Sequence, residues 1–191
     1  MAEPRPAART DARANRARIL EVAAEALAQD GDASLNSIAG RAGVGAGTLY
    51  RHFPNREAVV LAVYRAEVQR LVDRVPDLLR HEPPLAALRT WFALLAGYIR
   101  LKRGLGEALT AANHDAATAD TYGPVIEAIT ALLRAGQTDG SMRIGLDPDD
   151  VLLLMGAVWR VPAGEAGREQ SDRLLDLVVE SIRAQPSDVT T

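Results

Sequence analysis

Ser34-Leu35-Asn36-Ser37-Ile38-Ala39-Gly40-Arg41-Ala42-Gly43-Val44-Gly45-Ala46-Gly47-Thr48-Leu49-Tyr50-Arg51-His52-Phe53-Pro54-Asn55-Arg56 is the stretch on which the reading of this chain turns. Ser34 stands where a hydroxyl caps a short helix, and Leu35, Ile38, Ala39 and Ala42 give that helix an inward stripe. Gly43 is the residue a helix needs when it ends in a left-handed turn. After the turn Gly43-Val44-Gly45, a second short helix runs through Phe53 and stops before Pro54, whose ring disfavours helical geometry in the residue preceding it. Two short helices around a glycine-bearing turn are the helix-turn-helix signature, in which the second helix enters the DNA major groove.

Within the second helix, Leu49 and Phe53 are four apart and share the inward face. Thr48 and Arg51 point away from it, with Tyr50 and His52 on the flanks. A hydroxyl with a methyl, a phenol, a guanidinium and an imidazole on one short surface suit phosphate and base-edge contacts, Arg51 pairing with guanine and Thr48 offering its methyl to thymine. Two other readings compete. A dinucleotide-binding loop at Gly43 to Gly47 fails, because no strand precedes it and neither frame ends in the required glycine. A helical hairpin with no nucleic-acid role stays open on these residues.

The run Ile38-Ala-Gly-Arg-Ala-Gly-Val-Gly-Ala-Gly-Thr-Leu-Tyr-Arg-His-Phe-Pro-Asn-Arg-Glu-Ala-Val59 resembles the DNA-binding segment of the TetR family of transcriptional regulators. The likeness is specific over residues 16–65 and is one of general architecture beyond. It implies that Asn36, Ala46, Gly47 and Thr48 approach bases and that Tyr50, His52 and Arg56 approach phosphates. Two positions depart from the family's habit. Gly45 stands where the second helix usually opens on Ser or Thr, a loss of a few tenths of a kcal/mol in capping. Arg56 stands where Lys is common, and keeps the charge.

The bulk numbers suit an ordinary globular protein with a real core. The chain has 191 residues, 48% of them hydrophobic, and no cysteine, which excludes disulfides and thiolate metal sites. The N-terminal residues, with Pro4, Pro6 and several Arg but no apolar run, are not a secretory signal. The longest apolar stretch, Val151 to Trp159, is too short to span a bilayer; no membrane segment is expected, and the location expected is cytoplasmic. Net charge is −3 overall, but residues 1–56 carry +2 and the remainder −5, so the basic end is the helix-turn-helix end. Arg5, Arg9, Arg13, Arg16 and Arg18 cluster there.

Along the chain, residues 1–11 lack periodicity and read as a disordered basic arm, of the kind that enters a minor groove or is merely solvated. From Asp11, Ile19, Val22, Ala23, Ala26 and Leu27 build a first helix that ends at Asp30-Gly31. With the helix-turn-helix it completes a three-helix DNA-binding domain over residues 12–57. Asn55 caps a long helix predicted to run unbroken from Arg56 to His81. A larger α-helical ligand-binding and dimerisation domain, residues 58–184, contains that helix. It continues with an amphipathic helix from Leu85 to about Gly104, a short helix from Leu105 to Ala112, Asn113-His114-Asp115 in a loop, and a helix through Tyr122, Ile126, Ile129 and Leu133. Gly136 to Leu146 reads as loop. Asp147-Pro148-Asp149-Asp150 is a strong helix start, and the helix it opens is apolar on every side and so calls for cover on every side. Leu174 to Ile182 lie on the last helix, and residues 185–191 form a tail. The fold class is all-α.

Catalytic chemistry is sparse: three His, no Cys, no His-Glu-x-x-His and no phosphate-cradling Gly-Lys-Ser/Thr. No enzyme, cofactor or metal is expected. Trp91, Tyr98, Tyr122, Met155 and Trp159 are the large side chains suited to line an apolar small-molecule cavity, and His114 beside Asp115 suits a polar ligand contact; each serves equally as core or as exposed turn. The family resemblance implies a small effector in the middle domain that releases DNA. The reading is a homodimeric regulator, a repressor, on palindromic double-stranded DNA, its dimer built from the helices at Asp147 and near Glu169. The alternative is a helical ligand-binding or protein-interaction module that does not read DNA.

Overall fold

A computed structural model describes residues 6–30, 33–105, 111–158, 160–162 and 164–185, with the side chains of 6–13, 99–105 and 111–119 outside the description. The described residues form nine helices in the order α1 (Pro6–Gln29), α2 (Leu35–Arg41), α3 (Ala46–His52), α4 (Arg56–Asp73), α5 (Val75–His81), α6 (Pro84–Leu105), α7 (Ala111–Thr138), α8 (Pro148–Val158) and α9 (Glu165–Ile182). Among them there is no strand, only an isolated bridge between Met142 and Arg183. The chain divides into two compact units, Met1–Ala66 with Lys102–Thr118, and Glu67–Leu101 with Ala119–Thr191.

The first unit's core is made by the stripes the sequence predicts. Ile19, Leu20, Ala23, Ala26 and Leu27 from α1 meet Ile38, Ala39 and Ala42 of α2 and its end, Leu49 and Phe53 of α3 and its end, and Val59, Val60 and Val63 of α4. Full burial of a Leu or Phe side chain stabilises by about 1.5–3 kcal/mol, so Leu49 and Phe53 together outweigh every other term holding so short a helix in place. This core also runs further along α4 than the expected boundary at residues 57/58.

In the second unit, Trp91 of α6 is fully buried and donates its Nε1–H to the Leu71 carbonyl at 2.8 Å, joining α6 to α4. Arg89 pairs with Asp176 at 2.7 Å, joining α6 to α9. Asp147 caps α8 as predicted, its Oδ1 accepting from the Asp149 N–H at 2.8 Å, with Pro148 in the first position.

Several expectations are corrected. The first helix begins at Pro6, so residues 6–11, read as arm, are helical, and residues 1–5 lie outside the described residues. Apolar periodicity starts only at Ile19, whereas Pro in a first helical position and Ala after it favour a helix without any stripe. The long helix from Arg56 to His81 is broken at Arg74 into α4 and α5. Pro76 has no N–H for the Val72 carbonyl and its ring crowds that group, so the ladder restarts; the Arg74 N–H turns to Leu71 instead, at 3.2 Å. Asn113, His114 and Asp115 are helical residues of α7 rather than a loop. Most of the short helix predicted before them falls on 106–110, outside the described residues. Gly136 also belongs to α7, because Met142 folds over it where any Cβ would collide at 2.4 Å. The chain crosses between the units on α4, α6 and α7, so α4 is not their sole continuous link.

Candidate nucleic-acid interface

The helix-turn-helix is assembled by local chemistry at each end. Ser34 is extended, φ −76° and ψ 150°, and its Oγ accepts from the Ser37 N–H at 3.2 Å, the cap read from the sequence. At the other end of α2, Gly43 takes φ +66°, a left-handed value that costs a side-chain-bearing residue 1–2 kcal/mol, roughly. The Val44 N–H reaches back to the Ala39 carbonyl at 3.0 Å and the Gly43 N–H to Gly40 at 3.2 Å. These are the paired bonds of a Schellman ending, and Val44 packs on the same core as Ala39. Gly45 then opens α3 with no side-chain cap, and its carbonyl receives the N–H groups of Thr48 and Leu49 at 2.8 and 3.1 Å.

On α3, Leu49 is 0% exposed, and Phe53 just past its end is 2% exposed. Ala46, Gly47, Tyr50 and Arg51 are exposed, Thr48 and His52 half-buried, and Asn36 is exposed on α2. Arg51 folds back along the helix, its Nε donating to the Gly47 carbonyl at 3.2 Å, which leaves the two terminal nitrogens of the fork uninvolved in that bond. Added Cβ atoms at Gly45 and Gly47 would meet nothing within 4 Å, leaving the backbone of this first turn open to a large partner. Arg56 is part-buried and donates to the Ala33 carbonyl, so it also ties the start of α4 to the segment preceding α2. Asn55 caps α4 as predicted, its Oδ1 accepting from Ala58 at 2.8 Å.

Arg16, read in the sequence only as one of a basic cluster, has a particular partner here. The guanidinium of Arg16 lies over the Phe53 ring, 5.3 Å from its centroid. The signal was available: Arg16 stands three and four residues before Ile19 and Leu20, so it extends their inward stripe by one turn.

Of the six residues put forward for a small-molecule cavity, four have described side chains. Trp91 and Met155 are fully buried among core residues. Tyr98 is half-buried. Tyr122 is 45% exposed and donates its hydroxyl to Asp149, whose carboxylate holds the phenol above its ordinary pKa. The His114 side chain and Trp159 lie outside the described residues. A groove of about 490 Å³ does open elsewhere, with charged walls that include Arg70, Asp73 and Arg74 over Leu71 and Leu94, and none of the six lines it.

A helix-turn-helix unit whose second helix turns polar groups outward, continued by an all-helical unit, defines a DNA-binding transcriptional regulator. Residues 19–63 match the family described as bacterial regulatory proteins, tetR family. Residues 83–184 match the C-terminal domain of SbtR-like transcriptional regulators. The chain belongs to the TetR family. It is similar to the TetR transcriptional regulator SCO0520 from Streptomyces coelicolor, 38% identical over 89% of this chain and 99% of that one, with a TM-score of 0.76. A TetR regulatory protein from Mycobacterium vanbaalenii is 31% identical over 92% of this chain and 99% of that one, with a TM-score of 0.70. The fatty acid metabolism regulator protein of Bacillus subtilis is 27% identical over 86 residues, so the chain spans only 44% of that curated relative. The alternative of a helical module that does not read DNA is not favoured by these matches. No described helix is long and apolar enough to cross a membrane.

Proposed function

We propose that the chain is a cytoplasmic repressor without catalytic activity, bound as a homodimer to a palindromic operator and released by a small-molecule effector. The observation that carries it is the division of α3 into a buried face, with Leu49 followed by Phe53 at the helix end, and an exposed face of Ala46, Gly47, Tyr50 and Arg51. An exposed fork beside a side-chain-free first turn suits close approach to base edges. Thr48 and Asn36 extend the base-facing set, and Tyr50, His52 and Arg56 the phosphate set. Symmetry in the dimer would set two copies of α3 roughly 34–36 Å apart or a multiple of that, matching an inverted repeat.

The test is retention of purified protein on promoter fragments from its own genomic neighbourhood at moderate salt, followed by Arg51→Ala. That variant is expected to lose about 1–3 kcal/mol on the operator and to relax preference at one position per half-site, whereas Tyr50→Phe weakens all sequences alike. Unchanged affinity and selectivity in both Arg51→Ala and Thr48→Ala would exclude this docking.

Effector control has its own test. An effector that weakens DNA binding does so only by the amount it prefers the DNA-incompetent state, and operator DNA must weaken effector binding by the same factor. Calorimetric titration of the free and the operator-bound dimer measures both sides. Equal effector affinity in the two would remove the coupling and leave the second unit another role.

A further inference from the structure

We propose that Arg16 is a positioning residue for DNA recognition: its guanidinium, stacked on Phe53, fixes the roll of α3. The inference rests on the reading of α3 as the DNA-reading helix. With seven residues, α3 has too few turns to persist on backbone bonds alone and depends on what its inward side chains meet. Leu49 anchors its middle. Phe53 is the other anchor, placed at the end, where the backbone has already left the helix at φ −140°, ψ 99° while its N–H still closes on the Leu49 carbonyl at 2.8 Å.

Rotation of α3 about Leu49 is therefore resisted chiefly at Phe53. From α1, Arg16 lies over that ring at 5.3 Å. Among the described residues no carboxylate pairs with Arg16, so the ring is the partner of its cation, while the nearby Arg18 is occupied by Asn15 at 2.7 Å. The His52 ring is tilted against Phe53, centroids 6.2 Å apart, so a shift of Phe53 also moves a side chain expected at the phosphates. A cation on an aromatic face at an exposed site is worth a two- to fivefold change in an equilibrium, roughly. Losing it lowers the equilibrium constant for the correctly rolled α3 by that factor, and base contacts depend on that roll more than phosphate contacts do.

The experiment compares wild type, Arg16→Met and Arg16→Lys on an operator duplex and a shuffled duplex of equal length, by fluorescence anisotropy over a salt series. Arg16→Met keeps the apolar stem without the cation. Its ratio of operator to shuffled affinity should fall about two- to fivefold, with the salt dependence on the shuffled duplex unchanged and with most of the ratio kept in Arg16→Lys. Proton NMR of the wild type should show the Arg16 Cδ protons displaced upfield by the Phe53 ring. Equal weakening on both duplexes with a salt slope smaller by about one would make Arg16 a phosphate contact and overturn the proposal. An unchanged ratio, or Arg16 protons without a ring shift, would also overturn it. If Arg16→Met does not fold, the ring shift and the Arg16→Lys ratio decide. A wild type that does not distinguish the two duplexes would instead sink the reading of α3 itself.

Discussion

Replacing Leu153 and Leu177 together by Glu is expected to leave the chain folded but monomeric, and to lower operator affinity by about 10²–10⁴-fold as the second half-site contact becomes independent of the first. Both side chains are open in the single chain, Leu153 at 78% and Leu177 at 67%, with Leu154 beside them at 51%. They lie on α8 and α9, which pack against each other, and large apolar side chains left open on neighbouring helices are candidates for a protein contact. Because neither side chain is part of the monomer's core, carboxylates there disturb only what covers them. Sedimentation gives the mass, circular dichroism the fold, and anisotropy the affinity. A double variant that stays dimeric at micromolar concentration would place the interface elsewhere. Leu175, also on α9, is 2% exposed, and a charge there would unfold the chain instead of separating two copies.

Gly167→Ala is expected to destabilise by roughly 3 kcal/mol or more, lowering Tm by about 6–12 °C for a chain of this size. A Cβ at Gly167 would stand 1.8 Å from the carbonyl oxygen of Pro162 and 2.9 Å from its carbon. The obstacle is backbone, next to the buried Val161, and a carbonyl cannot turn aside as the tip of a flexible side chain can. Gly136→Ala provides the contrast. There the Cβ would meet Cγ, Sδ and Cε of Met142 at 2.4–2.6 Å, and a flexible thioether can turn aside, at a cost of about 1–2 kcal/mol. Thermal unfolding of the two variants side by side checks the ranking; equal Tm values would mean that the α8–α9 connection yields as easily as a methionine tip.

What was legible in the residues was whatever depends on neighbours in the chain. Ser34, Gly43, Asn55 and Asp147-Pro148 each act within four residues of themselves, and all four sit where a hydroxyl, a left-handed turn, an amide oxygen or a fixed φ is needed. The inward pair Leu49 and Phe53 follows from helical spacing alone, and with it the face left for DNA. Pro76 was legible in the same way; its missing N–H and its ring favour the break seen at Arg74, although Pro124 is carried within the unbroken α7. Apolar content could not say which side of the leucine-rich α8 is covered: Val151, Met155 and Val158 are buried while Leu153 and Leu154 are open, and tertiary packing decides between them. Nor could it say that Trp91 is spent on the Leu71 carbonyl, 20 residues away, or that Arg16 has an aromatic ring for its partner 37 positions on. Capping and periodicity are local and written in order along the chain, whereas the use made of a buried indole or an exposed cation depends on which distant segment arrives beside it, and packing alone settles that.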